Sequence, residues 1–310
     1  MRGVDCLVIG RPEDNWVVGV CAIASQAGRV QTVSPGQAAD IDTQSVNVIV
    51  GAPPDVATWV PRCPLLCWIQ STWAGVDSLL SVQRPGLEIT PLKGVFGQAM
   101  SEYVLGWLLA LERNILTRAK AVDWQPEPEP GVAGKRLGIM GAGGIGGAVA
   151  RAASVLGINV VGLNSDGRPQ PGFTGCFAHV DRLHFARDLD FLVSVLPSTP
   201  ATRGIIDGEL LSCLAPGAIL INAGRGDAVV TDEVVDALDD GRLRAAVLDV
   251  FEEEPLPQES RLWRHPGLFI TSHTAAPTPD AAIPAVFQKN LDRFQNGIAL
   301  EDAMDPARGY

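Results

Sequence analysis

The sequence predicts a doubly wound, parallel α/β architecture in two halves. Three observations carry that expectation. Short apolar runs of strand length alternate with helical or turn-rich stretches along all 310 residues. One of these runs feeds straight into a glycine-rich turn and an amphipathic helix, and a further strand follows. The first 98 residues repeat the alternation but lack the glycine turn, so the two halves have different tasks.

In order along the chain, the first half offers strand-like runs at "CLVIG" (from Cys6), "NVIVG" (from Asn47), "LLCWIQ" (from Leu65) and "LEITP" (from Leu87). A long apolar helix is expected next, from Gln98 to Lys120. It is apolar on nearly every side, so it must be covered at a domain junction or a subunit interface. The segment Trp124–Gly131, "WQPEPEPG", has alternating prolines that forbid helix and favour an exposed crossing. "KRLGIM" (135–140) then reads as a buried strand, and "GAGGIG" from Gly141 as the turn. In such a unit Gly141 makes the tight turn and Gly143 lets backbone approach a pyrophosphate. Gly146 lets the helix pack on the strand, and the helix N-terminus offers free N–H groups to the phosphates. With 33 glycines in the chain the pattern alone is weak, and its strand–turn–helix–strand setting is what gives it meaning. Ile145, Ala148, Val149, Ala152, Val155 and Leu156 are expected to form the apolar helix face, with Gly157 as the stop. Strands are expected at 159–163, 191–196, 218–222, 245–250 and 268–270, and a closing helix over 280–296.

Composition narrows the function classes. A formal charge of −11 argues against nucleic acid and anionic membrane as partners, and requires local arginines for any anionic substrate. Six scattered cysteines without metal-ligand spacing read as buried free thiols, with no metal site. The N-terminus reads as a first strand, and the longest apolar stretch, 103–111, is too short to span a bilayer, so a soluble cytoplasmic protein is expected.

A dinucleotide implies hydride transfer, which needs a proton donor beside the reacting carbon and a group that grips the substrate. Of four histidines, His265 reads as a turn residue and His179 and His184 as surface residues. His273 follows a strand, and so do Arg225 and Asp249, the latter with Glu252, Glu253 and Glu254 beyond it. Ligands of open α/β sheets bind at the carboxyl ends of strands. A guanidinium can grip a carboxylate and carbonyl through its fork. An imidazole can protonate the oxygen, and a carboxylate beside it would orient it and favour its charged form. Glu252 and Glu253 are expected to be solvated.

These residues bring the resemblance into view. "GAGGIG" at Gly141, "LPSTPATRGII" at Leu196, "NAGRGD" at Asn222, "DVFEEEPLP" at Asp249 and "SHTAA" at Ser272 resemble the D-isomer-specific 2-hydroxyacid dehydrogenases over nearly the whole chain. "STWAGVDSLL" at Ser71, "QAMSEYVLGWLL" at Gln98 and the ending "DPARGY" resemble most the glyoxylate/hydroxypyruvate reductases of that family. The resemblance implies two Rossmann/flavodoxin-like domains with a cleft between them. Residues 1–98 plus 276–310 would bind substrate, and 99–275 would bind the dinucleotide. It implies Arg225, Glu254 and His273 as the catalytic set, with His273 as general acid and Glu254 as its partner. Substrate would be held by Arg225 and by the loop Trp73, Ala74 and Gly75, with Trp73 as an aromatic wall. Cofactor contacts would come from Gly141, Gly143, Gly144, Ile145, Gly146, Asn164, Ser165, Arg168, Leu196, Pro197, Thr202, Ala223 and Asp249, the last facing the nicotinamide amide. A homodimer is implied as well. Ser272 stands where many members carry proline. Asn164 stands where NAD-preferring members place an acid; with Ser165 and Arg168 it favours NADP(H), while Asp166 keeps NAD(H) open. The alternatives are a dinucleotide-sensing binding protein on the same fold and a phosphite-type dehydrogenase. Formate-type members carry glutamine where Glu254 stands.

Overall fold

The computed structural model describes residues 3–37, 41–306, 308 and 309. Ala307 and Tyr310 of the terminal motif lie outside them. By the density of internal contacts the chain divides into two compact units, residues 1–95 with 278–310, and 96–277.

The first unit holds a five-stranded parallel sheet. Its elements are β1 (Val4–Ile9), α1 (Asn15–Ala24), β2 (Gly28–Val33), β3 (Val48–Gly51), α2 (Pro53–Trp59), β4 (Trp68–Ser71) and β5 (Glu88–Thr90), in the order β2-β1-β3-β4-β5. β1, β3 and β4 are the apolar runs read from sequence, and almost all their residues are buried. β2, "GRVQTV", is an edge strand that pairs only with β1 and buries only Val33 fully. It therefore lacks the apolar run that marks the central strands. The run from Leu65 is shorter than expected: Leu65 is exposed and the strand starts at Trp68. The closing helix covers Ala282–Gln295 and stacks Phe287 and Phe294 on the Trp68 ring, with centroids 5.4 and 5.3 Å away.

The second unit begins with α3 (Gly97–Glu112) and a single turn, α4 (Ile115–Arg118). The expected continuous helix to Lys120 is thus broken. Asn114 sits in the left-handed region (φ 48°), which ends one helix and caps the next. Nor is α3 covered all round. Met100, Val104, Leu108 and Glu112 form one buried stripe, while Tyr103, Leu105, Trp107, Leu109 and Leu111 are only partly covered. Seven parallel strands follow: β6 (Arg136–Met140), β7 (Asn159–Asn164), β8 (Gly175–Ala178), β9 (Phe191–Ser194), β10 (Ala218–Asn222), β11 (Leu243–Leu248) and β12 (Leu268–Ile270). Between them run α5 (Gly144–Val155), α6 (Arg182–Ala186), α7 (Gly208–Ser212) and α8 (Thr231–Asp239), and the final helix is α9. The strand order is β12-β11-β10-β9-β6-β7-β8. The direction of winding reverses between β6 and β9, which is where ligand crevices form in such sheets.

The face of α5 differs from the sequence expectation. Gly146, Val149, Ala150 and Ala153 are buried, whereas Val155 and Leu156 are exposed. The small side chains let the helix lie close to the sheet, so the buried stripe follows size more than hydropathy. Among the described residues no helix is long and apolar enough to cross a membrane, and no group of three acidic, His or Cys side chains is placed to hold a metal ion. The six cysteines are free, with Cys6 and Cys63 buried and the other four half-buried, so burial is less general than expected.

Candidate active site

The glycine turn has the form its spacing implies. Gly141 adopts φ 101°, a conformation side-chain-bearing residues rarely take. A Cβ on Gly146 would stand 2.1 Å from the Gly141 carbonyl oxygen, so only glycine lets α5 leave the turn at that angle. Gly143 and Gly144 are different: a Cβ on either meets nothing within 4 Å. Their bareness serves no internal packing. It leaves open the space in front of the α5 N-terminus, where unpaired backbone N–H groups favour an anion. The residues present therefore fit a dinucleotide's pyrophosphate. Ile145 is half-buried against the core of this unit.

At the end of β7, Asn164 shapes its own turn. Its Oδ1 accepts from the backbone N–H groups of Asp166 (3.3 Å) and Gly167 (2.6 Å), and its Nδ2 donates to the Arg168 carbonyl (2.8 Å). Arg168 Nε lies 2.6 Å from Asp166 Oδ2. The turn thus presents exposed Ser165 and an Asp166–Arg168 ion pair to solvent, and the amide of Asn164 faces inward.

The loop after β9 is closed by Thr202. Its hydroxyl donates to the Pro197 carbonyl at 2.7 Å and accepts from Thr199 N–H at 2.9 Å. Leu196 is packed into the core of the unit, and Ala223 N–H donates to the Ser194 carbonyl. Arg203 ties three loops together, reaching Asp227 at 3.3 Å and Glu252 at 2.9 Å. Glu252 is exposed, as expected of a solvated residue, and also pairs with Arg203.

Arg225, Glu254 and His273 follow three neighbouring parallel strands, β10, β11 and β12, at one edge of the sheet. The outer two of these are about 10 Å apart, a span that one small carboxylic acid and two side chains bridge. Asn222 sets the Arg225 backbone: its Nδ2 donates to the Arg225 carbonyl (2.9 Å) and its Oδ1 accepts from Gly224 N–H (3.2 Å). The Arg225 guanidinium donates to the Gly224 carbonyl at 2.8 Å. His273 Nδ1 lies 2.8 Å from Glu254 Oε2, while Glu254 Oε1 accepts from Phe251 N–H at 2.9 Å. A carboxylate only accepts, so Nδ1 carries the hydrogen and Nε2 is the atom that can give or take a proton toward a substrate. The imidazole is about half exposed, open to an incoming ligand.

Asp249 is almost wholly buried, at 1% exposure. Its Oδ1 accepts from the Thr271 hydroxyl (2.5 Å) and Thr274 N–H (2.9 Å), and its Oδ2 from Ala275 N–H (3.0 Å). It grips the loop that carries His273, and Oδ2 keeps one acceptor position for a further donor. The Thr271 and Phe251 contacts were not anticipated. A hydroxyl at the end of an otherwise apolar strand, two residues before a histidine, was the signal available for the first.

In the first unit, Trp73 follows β4, and its N–H and carbonyl both bond to the Ser71 hydroxyl, at 2.9 and 2.8 Å. Trp73 lines a cavity of about 620 Å³ at the carboxyl ends of β1, β3 and β4, together with Arg11, Trp16, Asp55 and Thr72. Ala74 is exposed and Gly75 half-buried beside it.

Comparison with known proteins identifies the family and the fold. Residues 105–275 match the profile of the D-isomer specific 2-hydroxyacid dehydrogenase NAD binding domain. The chain is 35% identical over 249 residues to glyoxylate/hydroxypyruvate reductase A of Escherichia fergusonii, covering 76% of this chain and 80% of that one. It superposes on the NADPH-dependent glyoxylate/hydroxypyruvate reductase of Sinorhizobium meliloti, solved with NADP and sulfate, with a TM-score of 0.86 at 30% identity over 99% of this chain and 100% of that chain. It also matches a D-isomer specific 2-hydroxyacid dehydrogenase of Xanthobacter autotrophicus, solved with NADPH and MES, with a TM-score of 0.88 at 29% identity over 99% and 100%. With its glycine turn, its strand-end Arg, Glu and His, and these matches, the chain belongs to the D-isomer-specific 2-hydroxyacid dehydrogenase family.

Proposed function

We propose that the protein reduces a small 2-oxo acid of the glyoxylate or hydroxypyruvate type to the D-2-hydroxy acid with NADPH, and that Arg225, Glu254 and His273 carry the reaction. The observation that supports this most is the Glu254–His273 pair, on the loops after β11 and β12, with Arg225 on the loop after the neighbouring strand β10. A bound nicotinamide dinucleotide supplies the hydride. Arg225 holds the substrate carboxylate and carbonyl through its guanidinium fork. His273 Nε2 delivers the proton to the carbonyl oxygen as the carbon is reduced, and Glu254 holds Nδ1 and stabilises the charged ring before transfer. Gly141, Gly143, Gly144 and Gly146 present the α5 N-terminus to the pyrophosphate. Ser165 and Arg168 accept a 2′-phosphate, with Arg168 released from Asp166 by the more highly charged phosphate. The loop Trp73–Gly75 contributes the second set of substrate contacts. A homodimer of soluble, cytoplasmic subunits is part of this reading.

The test is absorbance at 340 nm on mixing the purified protein with glyoxylate or hydroxypyruvate, once with NADPH and once with NADH. The expected result is turnover that is clearly faster with NADPH. Turnover with NADH alone would overturn the assignment of Ser165 and Arg168. Binding of both cofactors with no turnover of any 2-oxo acid would favour a dinucleotide-sensing protein instead.

A further inference from the structure

The His273 loop is held in an uncommon conformation. His273 adopts φ 55°, in the left-handed region where a residue with a Cβ is disfavoured unless its surroundings hold it. Its N–H donates to the Asp249 carbonyl at 2.8 Å, and the next two N–H groups donate to the Asp249 carboxylate. The third donor to that carboxylate is the Thr271 hydroxyl, and Thr271 Oγ1 is itself 2.7 Å from the hydroxyl of Tyr103 on α3, 168 residues away in sequence.

The direction of this chain of bonds is determined. A carboxylate only accepts, so the single Thr271 hydroxyl proton goes to Asp249. Tyr103 must then be the donor to Thr271. Burial pushes the Tyr103 phenol up to about 12, so it remains protonated through the working range and can donate. Around the buried Asp249 carboxylate each bond polarises the next, and the orientation of the carboxylate is fixed by the Thr271 hydroxyl, which the phenol orients, and by the N–H groups of the loop.

We propose that Tyr103 and Thr271 are positioning residues for the proton donor: the chain Tyr103–Thr271–Asp249 fixes the carboxylate that holds the two residues after His273, and so keeps His273 in its left-handed conformation with its ring aimed at Glu254. Neither residue touches the reacting atoms. The proposal rests on the reading of His273 as the general acid, and its test has a readout that does not need turnover.

The experiment compares Thr271→Val, Thr271→Ser and Tyr103→Phe in the full chain. The first readout is the nitrogen-bound imidazole proton of His273 in a ¹⁵N-labelled sample, assigned among four histidines by its loss in His273→Ala. The second is kcat and the KM for NADPH. Removing a hydrogen bond to a buried charge is expected to lower kcat about tenfold in Thr271→Val, with KM for NADPH nearly unchanged. The His273 signal should shift or broaden in that variant and recover in Thr271→Ser. Tyr103→Phe leaves the Thr271–Asp249 bond in place, so it should give a smaller loss of the same kind. Should Thr271→Val fail to fold, Tyr103→Phe and Thr271→Ser decide the matter. Variants that lower only the melting temperature, with kcat and the His273 signal as in the parent, would overturn the proposal. A parent protein that turns over no 2-oxo acid would refute the function proposed above, and the imidazole signal would still decide whether the brace exists.

Discussion

Gly143 and Gly146 stand three residues apart in one turn and have different physical tasks. At Gly146 a methyl group would overlap a backbone oxygen, and nothing nearby is the flexible end of a side chain. At Gly143 a methyl group would point into open space from a backbone that alanine can adopt (φ −87°). Gly146→Ala should therefore cost about 3 kcal/mol of stability, read by denaturant unfolding. Gly143→Ala should fold as the parent does and lose NADPH affinity, read by cofactor fluorescence. Equal NADPH binding by Gly143→Ala would mean that the space before α5 is not where the pyrophosphate lies. Several side chains read from sequence as ligand contacts have a structural task first. Asn164, Thr202 and Asp249 each use their polar atoms to fix a loop: Asn164 the turn it begins, Thr202 the loop it ends, and Asp249 the loop after the neighbouring strand. Sequence places such residues at a strand end but does not say which way an amide or carboxylate turns. That depends on backbone N–H groups two to twenty-six residues away.

At the scale of elements, the central strands were legible because burial on both faces demands continuous apolar runs. The edge strands β2 and β8 were not, because they bury little: β2 buries only Val33 fully and β8 none of its residues. The break in the long helix was also not read: the apolar pattern of 97–111 resumes at Ile115 and Leu116, and the interruption comes from one asparagine in the left-handed region. Glu112 in the last turn of α3 is nearly fully buried, held by Arg244 at 2.5 Å and Lys135 at 3.1 Å. These cations satisfy a carboxylate placed at the unfavourable end of the helix dipole. Beyond it, Ile115, Leu116, Val122 and Trp124 stand exposed, next to the partly covered side of α3. This run of apolar surface on one connected segment is what a subunit interface would cover. The expected result of sedimentation equilibrium is a particle of about twice 32.8 kDa. The double variant Val122→Ser/Trp124→Ser should shift it toward the monomer. A monomer at micromolar concentration, or a variant that dimerises as the parent does, would contradict this.

At the scale of the molecule, a chain of net charge −11 must capture an anionic substrate against its own field, so the positive groups at the site carry a disproportionate share of recognition. The chain crosses between its two compact units near residues 95 and 277, and the second crossing follows the His273 loop by four residues. The proposed proton donor, its carboxylate partner and the substrate-gripping arginine all fall in the second unit, and the Trp73 loop falls in the first. The central claim is that His273 delivers the proton in a 2-oxo acid reduction. The most direct test is the 340 nm rate of His273→Ala with NADPH and glyoxylate, measured beside its affinity for NADPH. The account predicts a rate lower by about a hundredfold or more with cofactor affinity retained. A variant that folds, binds NADPH and reduces glyoxylate at the parent rate would contradict it.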